Sequence, residues 1–407
     1  MGDYDHDIEM NSDTEELSNG DEAEIDVADE EDEPLLHVDD SVAQLVGHSK
    51  DVFCLSVSSS NQWLASGSED DTACLWNLEN MNCSEPYCRI QEHVDSVNAI
   101  AFNTTSSLLA SADMSGCIIC TETYTKVRRC KIEDCGDIEW ILWHKTADIL
   151  FSGTNDGMVW MWLIGKTGVQ QSKIYTRGAS GACTKGKLLP DSKRLLAVYN
   201  DGEVRLWDLK SGETLAGLNL GSACYSLDVH TLRPWAAVGC GNGTTALLNT
   251  ETCKLVNTLK TEKMDRGDGE NNETNSVEVV NFAPDAFPWL AVGTASGQLV
   301  IYDVETGAAR HECDHDGQAV VSAAWRQTTP SAQPTDNSES VESENKLLRI
   351  LSICMDGGVR VWNAKSGDPV EVHSCGGSEL FDACVVEREN GKIYVACSGG
   401  IIRVFDC

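Results

Sequence analysis

Short apolar runs that follow a polar turn and end in a bulky residue recur along this chain of 407 residues. Such runs, bounded by turn residues, predict β-strands. In the four strongest copies an aspartate stands six residues before a tryptophan: Asp70–Trp76, Asp156–Trp162, Asp201–Trp207 and Asp356–Trp362. Four weaker copies fill the gaps: Ser115–Thr121, Asn242–Leu248, Ser296–Tyr302 and Gly399–Phe405.

The spacing of these runs predicts the architecture. Most steps between the final residues of successive runs are 41–45 residues, and two are longer. In the first unit the pattern predicts strands at 52–57, 63–67 and 72–76, and a fourth, less regular strand follows the tryptophan position in other units. A repeat of this length is typical of WD-repeat propeller blades. The predicted fold class is therefore all-β: an eight-bladed WD-repeat β-propeller over residues 41–407, with a disordered acidic tail at 1–40.

The two ends of the predicted propeller complement each other. The last unit stops two residues after Phe405, so it lacks a fourth strand. The segment 42–46 has the pattern of a strand but belongs to no unit. We expect this segment to complete the last blade, because that pairing closes the ring and removes two free strand edges.

The charge of the chain narrows the range of partners. The net charge is −35, and residues 1–40 hold 18 acidic and no Lys or Arg side chains, which leaves 47 acidic against 30 basic in the remainder. A segment as acidic as 1–40 buries too little apolar surface to fold alone. Nucleic acid binding depends on neutralising phosphates, so this balance argues against it and favours a basic protein partner.

The cysteines and the lack of targeting segments point to a reducing compartment. The 18 cysteines are spread across the predicted strands, and this distribution favours buried, reduced thiols over a set of structural disulfide bonds. The sequence shows neither a signal peptide nor an apolar run long enough to span a bilayer. We expect a monomer in the cytoplasm or the nucleus.

Four side chains of the first unit have a structural interpretation. His48, Ser66, Asp70 and Trp76 stand where WD blades hold a hydrogen-bond network that satisfies buried polar groups. A catalytic Ser-His-Asp triad would also need an exposed hydroxyl and oxyanion donors, which nothing in the sequence indicates. Cys117 and Cys120 are too isolated for a zinc site, and no phosphate-binding loop occurs. We expect no enzyme, no cofactor and no metal.

Surface positions carry the functional prediction. In a propeller, the start of each first strand and the residue before each turn aspartate point to one rim around the central channel. Those positions are rich in acidic side chains, with Lys50 and Lys185 nearby, so they predict a site for a Lys/Arg-rich segment. A merely solvated acidic surface is the alternative, and Trp140 fits an aromatic anchor as well as a core position. The predicted partner-binding residues are Asp51, Phe53, Glu69, Asp137, Glu139, Trp140, Glu278, Glu379 and Asp382.

Specific strings follow the acidic leader at 51–54, 67–71, 113–116, 136–144, 157–162, 275–278 and 290–293. Together with the leader, they resemble the angio-associated migratory cell protein family of WD-repeat proteins. The resemblance spans essentially the whole chain, and it departs from the family pattern in its loop lengths and at Thr121, where a tryptophan is expected.

The resemblance implies an eight-bladed, non-catalytic propeller and two kinds of function. A fungal relative looks like a dedicated chaperone of the basic N-terminal segment of a large-subunit ribosomal protein, and an acidic rim suits that role. Animal members are linked to cell migration and angiogenesis, with cytoplasmic and peripheral membrane locations. A scaffold in migration signalling is therefore the alternative function. A ubiquitin-ligase substrate receptor is a further alternative that rests on the sequence itself, because residues 207–210 approach a WDx[RK] docking motif.

Overall fold

A computed structural model describes residues 38–79, 85–178, 181–261, 275–284, 287–315, 318–328, 347–386 and 391–406. Within these ranges the regular structure is all β-strand, apart from a 3-10 turn at Ser398–Gly400. The described part of the chain contains no helix long and apolar enough to cross a membrane. Nearly all of the predicted acidic tail, residues 1–37, lies outside the described residues.

The strands form eight four-stranded antiparallel sheets, numbered here as blades one to eight. Blade one contains β2 (Val52–Val57), β3 (Trp63–Ser68), β4 (Ala73–Asn77) and β5 (Cys88–Ile90), and blade two contains β6 (Val97–Phe102), β7 (Leu108–Asp113), β8 (Ile118–Glu122) and β9 (Arg128–Ile132). Blade three contains β10 (Ile138–Trp143), β11 (Ile149–Thr154), β12 (Val159–Gly165) and β13 (Gly168–Tyr175), and blade four contains β14 (Cys183–Leu188), β15 (Arg194–Tyr199), β16 (Glu203–Asp208) and β17 (Thr214–Asn219). Blade five contains β18 (Cys224–Val229), β19 (Trp235–Cys240), β20 (Thr244–Asn249) and β21 (Lys254–Lys260), and blade six contains β22 (Val277–Phe282), β23 (Trp289–Thr294), β24 (Gln298–Asp303) and β25 (Ala309–Asp314). Blade seven contains β26 (Val320–Thr328), β27 (Leu347–Cys354), β28 (Gly358–Asn363) and β29 (Pro369–Ser374). Blade eight contains β30 (Leu380–Val386), β31 (Lys392–Cys397) and β32 (Ile401–Asp406), together with β1 (Ala43–Val46).

The blades are arranged as a closed ring. The first strand of each blade contacts the first strand of the next, and β30 of blade eight contacts β2 of blade one. These eight first strands therefore surround the central channel, as in other propellers. The predicted fold class, an eight-bladed β-propeller, is confirmed.

Apolar side chains fill the spaces between neighbouring blades. Leu64 and Trp76 of blade one pack in one cluster with Tyr394 and Ile402 of blade eight. Equivalent clusters join other neighbouring blades, such as the one that joins Trp140 of blade three to Leu195 of blade four. All sixteen described cysteines are free thiols, and most are buried in these layers.

The outer edge of blade eight is supplied from the other end of the chain. Strand β1 pairs antiparallel with β32, with Ala43 opposite Val404 and Val46 opposite Ile401. Leu45 turns inward and is 4% exposed, whereas Val46 is 54% exposed. Contacts with the propeller begin ahead of the strand, since Asp39 accepts a hydrogen bond from Arg403 at 2.8 Å.

Candidate functional site

One backbone hydrogen bond recurs in all eight blades and defines a common face. It joins the residue before each innermost strand to the turn between the second and third strands. In blade one the N–H of Glu69 donates to the carbonyl of Asp51 at 2.9 Å, and in blade three Asn155 donates to Asp137 at 2.9 Å. Because this bond repeats in every blade, these positions lie side by side at one mouth of the channel.

A β-bulge adds a third position to this face. The pairing of each innermost strand with the second strand skips the second residue of the innermost strand, for example Phe53 between Val52 and Cys54. The same irregularity occurs at the second position in the other seven blades. A bulge takes a residue out of the ladder and redirects its side chain, a frequent feature of functional surfaces.

These three positions in each blade constitute what we call the rim. Six of its members are acidic, and no member is Lys or Arg. In blade order the rim comprises Asp51, Phe53, Glu69; Ser96, Asn98, Met114; Asp137, Glu139, Asn155; Ala182, Thr184, Asn200; Ala223, Tyr225, Gly241; Ser276, Glu278, Ala295; Ala319, Val321, Met355; and Glu379, Phe381, Ser398.

The rim brings together seven of the nine residues predicted for partner binding: Asp51, Phe53, Glu69, Asp137, Glu139, Glu278 and Glu379. The carboxylates are not equally available to a ligand. Asp137, Glu139, Glu278 and Glu379 are exposed. The carboxylate of Asp51 accepts a hydrogen bond from the N–H of Gly399 at 2.8 Å.

Trp140 is not on the rim, which corrects its predicted role as an anchor. It follows the bulged Glu139 and is 6% exposed. Its indole N–H donates to the carbonyl of Cys183 in the next blade at 3.0 Å. The ring occupies the space that a Cβ would need at Gly153 and Gly186. Trp140 therefore joins blades three and four through the core.

Asp382 also lies one position beyond the rim, facing the inside of the ring. Its carboxylate accepts hydrogen bonds from the backbone N–H of Leu55 at 2.9 Å and of Ala383 at 2.8 Å. Burial raises the pKa of Asp382 to about 6, although these bonds and the charge of Lys185 oppose the shift. This carboxylate joins blades eight and one rather than facing a ligand at the rim.

The rim also has an apolar component that sequence reasoning missed apart from Phe53. Met114, Tyr225 and Met355 are 43%, 40% and 47% exposed. The rings of Phe53 and Phe381 meet edge to face across the junction of blades one and eight, with centroids 5.3 Å apart. The sequence signal was available, because these residues occupy the same positions as the acidic members.

The four structural residues of blade one form one chain of hydrogen bonds. The two ring nitrogens of His48 lie 3.2 Å from Asp70 and 2.8 Å from the hydroxyl of Ser66. The indole N–H of Trp76 donates to the same hydroxyl at 3.0 Å. These groups are buried or nearly so, and they satisfy one another.

Other blades keep this network with different residues. In blade two, His93 lies 3.0 Å from Asp113 and 2.7 Å from Ser111, so Asp113 supplies the carboxylate that the sequence pattern placed at Ser115. In blade seven, Nδ1 of His315 accepts from Arg360 at 2.9 Å, and Nε2 lies 3.0 Å from the hydroxyl of Ser352. Burial, with the charge of Arg360, lowers the pKa of His315 to about 3.

One group among the described residues has the composition of a metal site. His93, Asp113 and Cys117 place their ligand atoms within 4.8 Å of one another. Burial and the charge of Asp113 raise the pKa of Cys117 to about 11, which keeps the thiol protonated and a poor ligand. The histidine and the carboxylate already hydrogen-bond each other, so the group fits the blade network and not a metal centre.

Comparison with protein families supports the blade assignment. Residues 39–77 and 84–120 match the model "WD domain, G-beta repeat", and residues 141–405 match the model "Nucleolar protein 10-like, N-terminal domain". The angio-associated migratory cell proteins of Homo sapiens and Canis lupus familiaris are each 31% identical over 373 residues. That alignment covers 89% of this chain and 78% of each relative.

Solved structures show the same fold. Sqt1 of Saccharomyces cerevisiae superposes with a TM-score of 0.77 at 18% identity, covering 90% of this chain and 99% of that chain. Sqt1 of Chaetomium thermophilum, bound to the N-terminus of the ribosomal protein L10, superposes with a TM-score of 0.75 at 20% identity, covering 91% and 100%. The chain thus belongs to the angio-associated migratory cell protein family of WD-repeat propellers, and its residues 141–405 to the Nucleolar protein 10-like N-terminal domain family.

Proposed function

We propose that this propeller is a non-catalytic binding protein that holds the basic N-terminal segment of a large-subunit ribosomal protein, as a dedicated chaperone in the cytoplasm. The observation that carries the proposal is the composition of the rim, which gathers six carboxylates around one mouth of the channel. None of the rim positions is Lys or Arg, and the neighbouring Lys50 pairs with only one of the carboxylates, that of Glu69, at 3.4 Å. A structural neighbour with the same fold is bound to the N-terminus of ribosomal protein L10. A basic ribosomal segment is the partner that both facts favour.

The physics of the rim suits such a ligand. Exposed ion pairs contribute only about 0–1 kcal/mol each, so no single carboxylate dominates. Carboxylates of one sign arranged around a channel mouth add their potentials, which speeds the approach of a cationic segment and repels acidic ones. The apolar rim members supply contacts for the residues between the charges.

Charge reversal of the three exposed rim glutamates tests the proposal. The triple variant Glu139→Lys, Glu278→Lys and Glu379→Lys should weaken binding of the basic ribosomal N-terminal peptide about tenfold or more, mostly through slower association. The measurement is a titration of the peptide at low and at high salt. The wild-type affinity should fall with added salt more steeply than that of the variant.

The control changes the net charge equally but away from the rim. Glu213→Lys, Glu251→Lys and Asp368→Lys alter exposed residues on the outer parts of blades four, five and seven. This variant should bind nearly as the wild type does. Equal binding by wild type and the rim variant at low salt would show that the rim is only a solvated surface.

A scaffold in migration signalling is the second candidate, favoured by the name of the curated relatives. Purification of the tagged protein from actively translating cells separates the two candidates. A stoichiometric ribosomal protein supports the chaperone function. Receptors or ligase adaptors without a ribosomal protein would support the scaffold or the substrate receptor instead.

A further inference from the structure

A lysine without a bonded partner lies in the channel directly below the acidic rim. Lys185 is the third residue of β14, the innermost strand of blade four, and its side chain is exposed to the channel. Among the described residues Lys185 has no hydrogen bond or ion pair. Lys187, two positions further along the strand, pairs instead with Asp228 at 3.3 Å.

The backbone around Lys185 is fixed by the neighbouring blade. The Trp140 ring lies where a Cβ at Gly186 would be, 2.3 Å from that position, and its N–H is bonded to the carbonyl of Cys183. Both flanks of Lys185 are therefore held against blade three. The point at which this lysine enters the channel is set by the fold rather than by a loop.

The strand position and the exposure of Lys185 place its side chain in the channel, where several charged groups act on it. Enclosure by protein lowers its pKa, and Lys187 adds to this shift, whereas Asp382 and Glu139 oppose it. Asp382 belongs to blade eight, which lies opposite blade four in a ring of eight. Because Lys185 is exposed on the innermost strand, its ammonium group projects from the wall of the channel, where the charges of Asp382 and Glu139 act on it.

We propose that Lys185 determines the specificity of the rim by selecting basic segments that are interrupted by an uncharged residue at the mouth of the channel. The inference rests on the proposed function. At the rim, carboxylates attract Lys and Arg side chains, while inside the channel the Lys185 ammonium repels them. A repulsive element of this kind discriminates between ligands that all carry enough positive charge. The Phe53–Phe381 pair offers an apolar contact to the uncharged residue.

Two synthetic peptides of identical composition test the inference. One carries its arginines in an unbroken block, and the other has a leucine in the middle of that block. Wild type should bind the interrupted peptide about threefold or more tightly than the unbroken one, by fluorescence anisotropy at low salt. Lys185→Met should remove this preference by strengthening binding of the unbroken peptide, and Lys185→Arg should retain it.

Lys254→Met is the matched control, because it removes one positive charge from the exposed outer strand of blade five. It should leave the ratio of the two affinities unchanged. If Lys185→Met also leaves that ratio unchanged while both peptides bind, the inference is wrong and the proposed function stands. If neither peptide binds the wild type, both are wrong. Melting temperatures of the variants show whether each is folded, and Lys185→Arg keeps the test valid if the methionine variant is not.

Discussion

At the scale of single residues, the blades share an architecture but hold their turns with different side chains. Blade one uses a histidine and an aspartate, whereas blade seven inserts Arg360 between His315 and Asp356. Blade four uses Arg177, which donates to Asp201 at 2.7 Å and to Glu203 at 2.6 Å. The physical requirement is that buried polar groups find partners, and several residue sets meet it.

The histidine of blade seven should make stability depend on pH. The folded protein keeps His315 neutral down to about pH 3, whereas the unfolded chain protonates it near 6.5. The unfolded state therefore binds more protons in this window, and stability falls as the pH drops through it. This group contributes about 2 kcal/mol of that loss between about pH 7.5 and about pH 5. His315→Gln should flatten the decline, measured by chemical denaturation at both pH values.

The control for this test is His311→Gln, which removes an imidazole from the outer strand of blade six. Its stability should keep the wild-type dependence on pH. An equal flattening in both variants would show that His315 is not the source.

The network of blade one predicts a cost for removing its carboxylate. Asp70 accepts from the N–H of Ser49 at 2.8 Å, from the hydroxyl of Thr72 at 2.6 Å and interacts with His48. Asp70→Ala leaves these groups unpaired, so the free energy of unfolding should fall by about 1–3 kcal/mol. Asp71→Asn, a neighbouring exposed position with φ of 59°, should change it little. A loss below about 0.3 kcal/mol for Asp70→Ala would mean that solvent replaces the network.

The sequence predicted the residues of these hydrogen-bond networks only where they follow the WD-repeat pattern. His48, Ser66, Asp70 and Trp76 were predicted because they stand at the positions that WD blades use for this network. Asp113 was missed because it stands at the end of a strand, two residues before the expected position, and only the fold shows that it reaches His93. Arg177 and His315 were missed because both networks use an arginine, Arg177 itself and Arg360 beside His315, which the histidine–aspartate pattern of blade one does not include.

At the scale of elements, β1 closes the ring, and its contribution to stability can be measured. Leu45 packs with Tyr394, Ile402 and Val404 of blade eight, while the adjacent Val46 faces solvent. Leu45→Ala should therefore lower the free energy of unfolding by about 2–5 kcal/mol. Val46→Ala should change it by no more than about 0.5 kcal/mol. Similar values for the two variants in chemical denaturation would show that β1 adds little to blade eight.

The strands themselves were largely predictable, and the bulges were not. The runs at 52–57 and 63–67 correspond to β2 (Val52–Val57) and β3 (Trp63–Ser68) within one residue. Apolar runs between turn residues give such boundaries. A bulge depends on how two strands pair, so the sequence did not show that the pairing of β10 with β11 skips Glu139, the residue before Trp140. For this reason Trp140 and Asp382 were predicted to lie on the rim, although each lies one position beyond it.

At the scale of the whole molecule, the ring brings acidic residues that are far apart in the sequence together on one face. The six rim carboxylates lie between Asp51 and Glu379 in the chain, and the repeat brings them to one face because each occupies an equivalent position. That gathering was predictable from the repeat. The surroundings of Lys185 in the channel were not predictable, since the sequence gives its neighbours along β14 but not the charges that reach it from other blades, such as Asp382 and Glu139.

The pairing of β1 with β32 has a consequence for biosynthesis. Ribosomes make the chain from its N-terminus, so Ala43–Val46 emerges before any blade exists, while its partner Ile401–Asp406 emerges after every other described strand. Seven blades can form from consecutive strands as they appear, but the eighth has to wait until β32 has emerged. Until then, β1 and the first blade expose edges that other nascent chains could pair with. A protein proposed to shield another newly made chain would thus itself pass through a stage in which it has an open edge to protect.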